Sequence, residues 1–151
     1  NHSVLDYGKV LKYGFRGLLE QVRNARAKNA DLDEQKINLY NSMEELLESC
    51  CKIGKRYAKE AGRLAMKAPQ SRAEELLKIA EICERVPEYP ARSRHEAIQS
   101  LWFAHIINTW EDGVNANSLG RLDQILYPYY CKDIESGILT EERAFELLCC
   151  L

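Results

Sequence analysis

The 151-residue sequence predicts a mainly α-helical segment. Residues 1–86 form outer helices, and residues 87–151 form a deep helix, a polar loop and the helices that follow. Three features carry this reading. Apolar residues return at three- and four-residue steps along nearly the whole chain, which is the helical period. A short polar residue is followed three positions later by Glu at Asp31/Glu34, Ser71/Glu74 and Ser93/Glu96, the spacing of a capping box. No segment holds the two-residue alternation of a half-buried strand, and no internal repeat or low-complexity tract interrupts the pattern.

In the first helix the stripe runs Tyr7, Val10, Leu11, Phe15, Leu18, Val22 and Ala25. Gly14 and Gly17 lie inside it, each costing about 1 kcal/mol relative to Ala, so both are expected to mark close packing against another element. Residues 24–30 lose the period and read as a connection. Asp31 is expected to cap a long helix with the stripe Ile37, Tyr40, Met43, Leu47, Cys50, Gly54, Tyr57, Ala61 and Leu64. Its length is on the order of 50 Å at 1.5 Å per residue, and Pro69 ends it. Ser71 is expected to cap a short helix through Leu77, Ala80 and Ile82. Val86-Pro87-Glu88-Tyr89-Pro90 forces an extended connector, because each residue before a proline is pushed out of the α region.

Ser93 opens the next helix, from Arg94 to about Trp110, which is apolar almost all round. Such a helix requires burial on every side, as inside a large protein. Residues 106–110 are rich in β-branched and aromatic side chains, so a short strand is the alternative there. The polar loop 111–118 follows. A helix starting near Gly120 holds Leu122, Ile125, Leu126, Tyr129 and Ile134. Pro128 is expected to kink or divide it, and Gly137 fits the left-handed position after its end. Thr140 opens a last helix with Phe145, Leu147, Leu148 and Leu151. The chain begins without Met and stops in the middle of a helical pattern, so a longer parent protein is expected.

Composition narrows the function classes. A net charge of −2 leaves no basic excess for a nucleic-acid footprint. The basic residues Lys52, Lys55, Arg56, Lys59 and Arg63 share their segment with acids and read as a solvated helix face. No run reaches the roughly 20 apolar residues of a membrane span. Of the six cysteines, Cys50-Cys51 and Cys149-Cys150 are adjacent on helices, where neighbouring side chains diverge, and Cys83 and Cys131 stand alone. That arrangement suits neither a disulfide framework nor zinc. Reduced cytoplasmic thiols are the better reading, with the paired cysteines inert on apolar stripes.

Candidate chemistry concentrates in the loop. Asn115 and Asn117 each bring a donor and an acceptor, and Arg121 brings a fixed fork for a carboxylate or phosphate. Ser118 is placed to cap the next helix, whose N-terminal amides favour an anion. The same residues also fit a self-satisfied turn in which Asp123 neutralises Arg121, and residue chemistry alone leaves both readings open. His2, ahead of Asp6 and Tyr7, is either an acid–base group tuned by a carboxylate or a terminal histidine without a role. His95 reads as structural, and His105 as a hydrogen-bonded core group.

Four blocks in order resemble the glycyl radical enzymes, the pyruvate formate-lyase-like group with its glycerol, choline and hydroxyproline lyases or dehydratases. Residues 1–17, NHSVLDYGKVLKYGFRG, resemble the family's GH-x-x-PDY-x-K-V-L-x-x-G-x-x-G. Residues 79–87 resemble A-x-x-C-x-x-VP, and residues 90–99, PARSRHEAIQ, resemble P-x-R-T-F-HEA-x-Q. Gly120-Arg-Leu-Asp-Gln124 with Tyr127-Pro-Tyr-Tyr130 and Lys132-Asp-Ile134 resembles GR-x-DQ-x-L-YP-x-Y-x-KDI.

The resemblance implies that the segment is a helical portion of a larger ten-stranded α/β barrel. It further implies a homodimeric parent carrying a glycyl radical installed by a radical-SAM activase. A cysteine thiyl there triggers C–O, C–N or C–C cleavage in a small polar metabolite. Neither the family's cysteine loop nor its Arg-Val-x-Gly-Tyr motif occurs in this sequence. Hence no catalytic residue or metal ligand is assigned, and the segment alone is expected to be inactive. His2 matches the histidine of the GH block. Asn115 and Ala116 stand where diol dehydratases of the family carry His and Ser, a departure that speaks against glycerol or propanediol. The resemblance thus points His2 and Asn115 at an interior cavity, and Asn117, Ser118 and Arg121 complete the candidate substrate-binding set. The competing reading is a free-standing helical module that docks a partner through its apolar helix.

Overall fold

The computed structural model describes residues 5–113 and 118–151, apart from the side chains of Glu111 and Asp112. Its helices are α1 (Tyr7–Lys28), α2 (Glu34–Ala65), α3 (Gln70–Arg85), α4 (Arg94–Asp112), α5 (Leu122–Glu135) and α6 (Glu141–Cys149). Among the described residues no strand forms beyond an isolated bridge at Ser118, so the segment is mainly α. Residues 106–110 are helical, not a strand.

Several boundaries move from their expected places. α1 continues through residues 24–28, which lack the apolar period, because charge holds its last turns. Arg23 meets Glu44 and Glu48 of α2 at 3.2 and 2.5 Å, and Arg26 meets Glu44 at 2.9 Å. The cap of α2 is Asp33 rather than Asp31, its side chain accepting from the Lys36 N–H at 2.8 Å. α3 starts directly after Pro69 with no side-chain cap, leaving Ser71 inside the helix. At α4 the expectation holds, since Ser93 Oγ accepts from the Glu96 N–H at 3.2 Å. The return bond lands one residue early, with the Glu96 carboxylate accepting from the Arg92 N–H at 2.7 Å. α5 runs undivided through Pro128. Gly137, with φ 68°, follows it in the left-handed region, and Thr140 caps α6.

The packing centres on the connector 86–91. At Gly14 the backbone of α1 leaves the helical region (φ 63°, ψ 168°), a conformation that suits glycine. The break frees backbone groups, and the connector takes them up. Phe15 N–H donates to Pro87 O, Arg16 N–H to Glu88 O, and Ala91 N–H to Leu11 O, at 2.9, 2.9 and 3.0 Å. A Cβ on Gly14 would lie 2.3 Å from Glu88 O, so the close packing expected of this glycine is real. Gly17 differs, because its nearest neighbour would be Tyr13 Cβ at 3.1 Å on the same helix. On the other side of the connector lies Gly54 of α2, where a Cβ would come within 2.2 Å of Val86 O and 2.5 Å of Cys83 O.

Between these glycines the Glu88 carboxylate is buried, 3% exposed. Arg16 of α1 and Lys55 of α2 both ion-pair with it, the latter at 2.7 Å. Burial by itself would raise its pKa, but the hydrogen bonds from Lys55 and Arg16 outweigh burial and hold it below the usual value. The main apolar cluster gathers Tyr7, Leu11 and Phe15 of α1, Cys50 and Cys51 of α2, and Ala97, Ile98, Leu101 and Ala104 of α4. A smaller one joins Ala58, Cys83 and Phe103.

Within these residues α4 is not covered all round. Leu101, Phe103 and Ala104 are buried, whereas Trp102 is 40% and Trp110 68% exposed. The long α2 stripe is likewise half covered: Cys50, Gly54 and Ala61 are buried, but Met43, Tyr57 and Leu64 are exposed.

Gly54→Ala is expected to destabilise the fold by about 3 kcal/mol through overpacking against rigid backbone. Gly62→Ala, where an added Cβ meets nothing within 4 Å, is expected to stabilise it by about 0.5–1 kcal/mol. Urea denaturation of both variants checks the pair. The unfolded pKa of Glu88 is about 4.3 and its folded value is lower. Its stabilisation is therefore present above the unfolded value and lost as pH falls through the folded one. Glu88→Gln is expected to be less stable near neutrality and to lose less on acidification to about pH 3; equal acid losses in the two proteins would contradict this account.

Candidate functional site

The sequence places its candidate site where α4 ends. Three of the five named residues, His2, Asn115 and Asn117, lie outside the described residues. The other two are described. Ser118 is exposed, and its Oγ accepts from the Gly120 N–H at 3.2 Å. It does not cap α5, whose cap position is Arg121 with no side-chain bond. A local turn has taken the hydroxyl instead. Arg121 donates through Nε and one terminal nitrogen to the two Asp123 oxygens at 2.9 and 2.6 Å, and both side chains are exposed. Its hydrogen bonds with Asp123 raise the arginine pKa, and the same bonds lower that of the aspartate. For Arg121 the self-neutralised turn is therefore the observed arrangement, and the fork must release Asp123 before it can hold another anion.

What the structure does build at this end of α4 is a clamp. Tyr7 is fully buried, and its hydroxyl shares a hydrogen bond with His105 Nδ1 at 2.9 Å. Burial raises the Tyr7 pKa, so the hydroxyl keeps its proton. The Trp102 ring stacks on His105 with centroids 5.8 Å apart. His105 is thus hydrogen-bonded as the sequence suggested, though half-buried and not in the core. The clamp fixes the start of α1 against the second half of α4. Leu5, just after residues 1–4, and Leu119, just after residues 114–117, pack on the same apolar cluster.

Sequence reasoning missed a second gathering of polar groups. His95, Gln99 and Trp102 of α4 line a cavity of about 260 Å³ with Arg72 and Lys78 of α3 and Arg143 and Glu146 of α6. The signal available was the four- and three-residue spacing of His95, Gln99 and Trp102, which puts them on one helix face. Burial lowers the His95 pKa, aided by the charges of Arg143 and Lys78, so the ring stays neutral. The cations around it are already paired, Arg72 with Glu75 at 2.6 Å, Lys78 with Glu81 at 2.8 Å and Arg143 with Glu146 at 2.5 Å.

No disulfide joins any of the six cysteines. Cys50, Cys51 and Cys83 are buried, and burial pushes the Cys83 thiol up to about 11 and raises that of Cys51 as well. Cys149 and Cys150 depart from the expected apolar stripe and are exposed. The buried face of α6 is set by Ala144 and Leu147, which turns its last positions outward. Among the described residues no His, Cys, Asp and Glu side chains cluster as metal ligands, and no helix is long and apolar enough to cross a membrane.

The pyruvate formate lyase-like family model matches residues 1–151. An isethionate sulfite-lyase from Nitratidesulfovibrio vulgaris is 41% identical over 98% of this chain and 19% of its own length. A trans-4-hydroxy-L-proline dehydratase from Clostridioides difficile is 38% identical over 94% of this chain and 19% of its own. The crystal structure of a glycyl radical enzyme from Archaeoglobus fulgidus superposes with a TM-score of 0.90 at 37% identity, covering 98% of this chain and 20% of that one. The chain thus spans about a fifth of the length of the relatives it matches.

Tyr7→Phe removes the clamp's hydrogen bond while keeping the ring. It is expected to cost about 1 kcal/mol in urea denaturation, the net value of one buried neutral hydrogen bond.

Proposed function

This chain belongs to the pyruvate formate lyase-like family, and from that premise we propose that it forms a helical part of a glycyl radical lyase or dehydratase. In this reading it walls part of the substrate pocket and supplies neither the radical glycine nor the thiyl cysteine. That division rests on the sequence, which contains neither the family's cysteine loop nor its Arg-Val-x-Gly-Tyr motif. The glycyl radical of the parent, installed by a separate radical-SAM activase, supplies the hydrogen-abstracting chemistry. The residues of this chain bind and orient. A homodimeric parent completes the proposal.

His2, Asn115, Asn117, Ser118 and Arg121 are assigned to the substrate. The observation that carries the assignment is the clamp between Tyr7 and His105, with Leu5 and Leu119 on one apolar cluster. A chain spans at most about 3.5 Å per residue, so both polar segments start within reach of the same end of α4. The relatives' names specify a hydroxysulfonate and a hydroxylated amino acid. Both substrates carry a hydroxyl and an acidic group, so the proposed substrate class is a small hydroxylated anion. An asparagine amide serves either group, donating to the acid or accepting from the hydroxyl.

The second reading, a free-standing docking module, draws on the exposed Trp102 and Trp110. The family match favours the enzyme, because the remainder of a much longer relative would cover the same face.

In the full-length protein, activated anaerobically, Asn115→Ala is expected to lower kcat/KM for isethionate or hydroxyproline by about 10- to 100-fold. That is the effect of one or two lost substrate hydrogen bonds at about 1.4 kcal/mol per factor of ten. The glycyl radical yield measured by electron paramagnetic resonance is expected to stay unchanged. Unaltered kcat/KM would remove Asn115 from the pocket, and absence of any radical in the wild-type protein would remove the enzyme reading.

A further inference from the structure

At the first residue of α4 stands a cation that the proposed substrate pocket does not use. Arg94 is 9% exposed. Its backbone N–H is satisfied by the buried carboxylate of Asp133 at 2.7 Å, but no carboxylate lies within ion-pair distance of its guanidinium among the described residues. Nε has no hydrogen-bond partner there either. The guanidinium lies over the Tyr130 ring, Cζ 5.1 Å from its centroid. A ring covers the face of the guanidinium plane and leaves the in-plane donors unused. Burying a charge is unfavourable, and burial lowers the Arg94 pKa, with Tyr130 and Asp133 acting in the opposite sense.

The unpaired cation lines a cavity of about 330 Å³ whose walls are apolar and aromatic: Leu122, Leu126, Tyr127 and Tyr130 of α5 and Leu148 of α6. The one carboxylate on the rim, Asp123, is held by Arg121 at 2.6 Å. A small apolar cavity with a single convergent charged group is the general form of a small-molecule site. In the motif that residues 90–99 resemble, P-x-R-T-F-HEA-x-Q, the position of Arg94 carries Phe.

We propose that this cavity binds a small aromatic carboxylate, its anionic group held by the in-plane donors of Arg94 and its ring packed between Leu126, Tyr127 and Leu148. The guanidinium fork matches a carboxylate bidentately, and the apolar wall selects for a ring over a fully hydrated acid. The cavity meets the proposed substrate set at one point, Arg121, whose partner Asp123 stands on the rim; the anion proposed here is held by Arg94, which that set does not include.

Isothermal titration of the intact protein with benzoate, against its neutral twin benzamide, tests the proposal. Benzoate is expected to saturate with a Kd of about 0.1–1 mM, and benzamide to bind at least about tenfold more weakly. Arg94→Met keeps the length and removes the charge, and is expected to abolish benzoate binding. Arg94→Phe, the residue of the resembled motif, is expected to do the same while keeping the wild-type circular dichroism and melting transition. Saturation by benzoate that survives in either folded variant, equal affinity for benzamide, or no saturable binding to the wild type up to about 10 mM would each overturn the proposal.

Discussion

The rest of this segment depends on one passage of backbone, residues 86–91, threaded between Gly14 of α1 and Gly54 of α2. A helix broken in its interior exposes amides and carbonyls that must be satisfied if the break is buried. A connector threaded through a core carries the same need. Here each supplies the other, through the bonds from Phe15, Arg16 and Ala91. Glu88 then sits where only a carboxylate with two cations is tolerable, and Arg16 and Lys55 reach it from the two helices it separates. The connector therefore fixes three directions together: α3 returns along α2, α1 bends at Gly14, and α4 is launched across α1.

The bend in α1 has a consequence at the far end of α4. Tyr7 lies on the first turn of α1, before the break, and meets His105 near the exit of α4. The start of α1 is thus brought against the second half of α4 by the same geometry that packs the core. Coupling a rigid helix pair to the segments that carry polar residues is how a scaffold positions functional loops. The exposed tryptophans on α4 show the other side of this arrangement, a helix whose sequence is suited to more cover than these residues give it.

The two arginines discussed above have opposite fates. Arg121, in the loop that reads as a ligand site, is exposed and already neutralised by a neighbour two residues away. Arg94, in a cap sequence that reads as purely structural, is buried over a tyrosine with donors to spare. A carboxylate two residues from an arginine is visible in any sequence. Arg94 has one too, Glu96, but that carboxylate turns to Arg92, and the packing of α5 gives Asp133 to the Arg94 backbone N–H and not to its guanidinium.

The sequence by itself determined the helical class, the Ser93 and Thr140 caps, the left-handed Gly137 and the resemblance that the family match bears out. All rest on local periodicity, on cap chemistry within four residues, or on motifs written in order along the chain. It also suggested both fates for Arg121 without choosing. The tertiary structure decided the remainder. The end of α1 rests on charges from α2, so the loss of apolar period after residue 23 misplaced it. Of the three glycines in α1, Gly14 alone meets a foreign backbone, because Glu88 and Tyr89 pass there and no other element passes Gly8 or Gly17. The outward turn of Cys149 and Cys150, the Tyr7–His105 clamp and the unpaired charge of Arg94 all depend on residues far away in the chain. Spacing along a sequence cannot supply such neighbours, since packing alone chooses them.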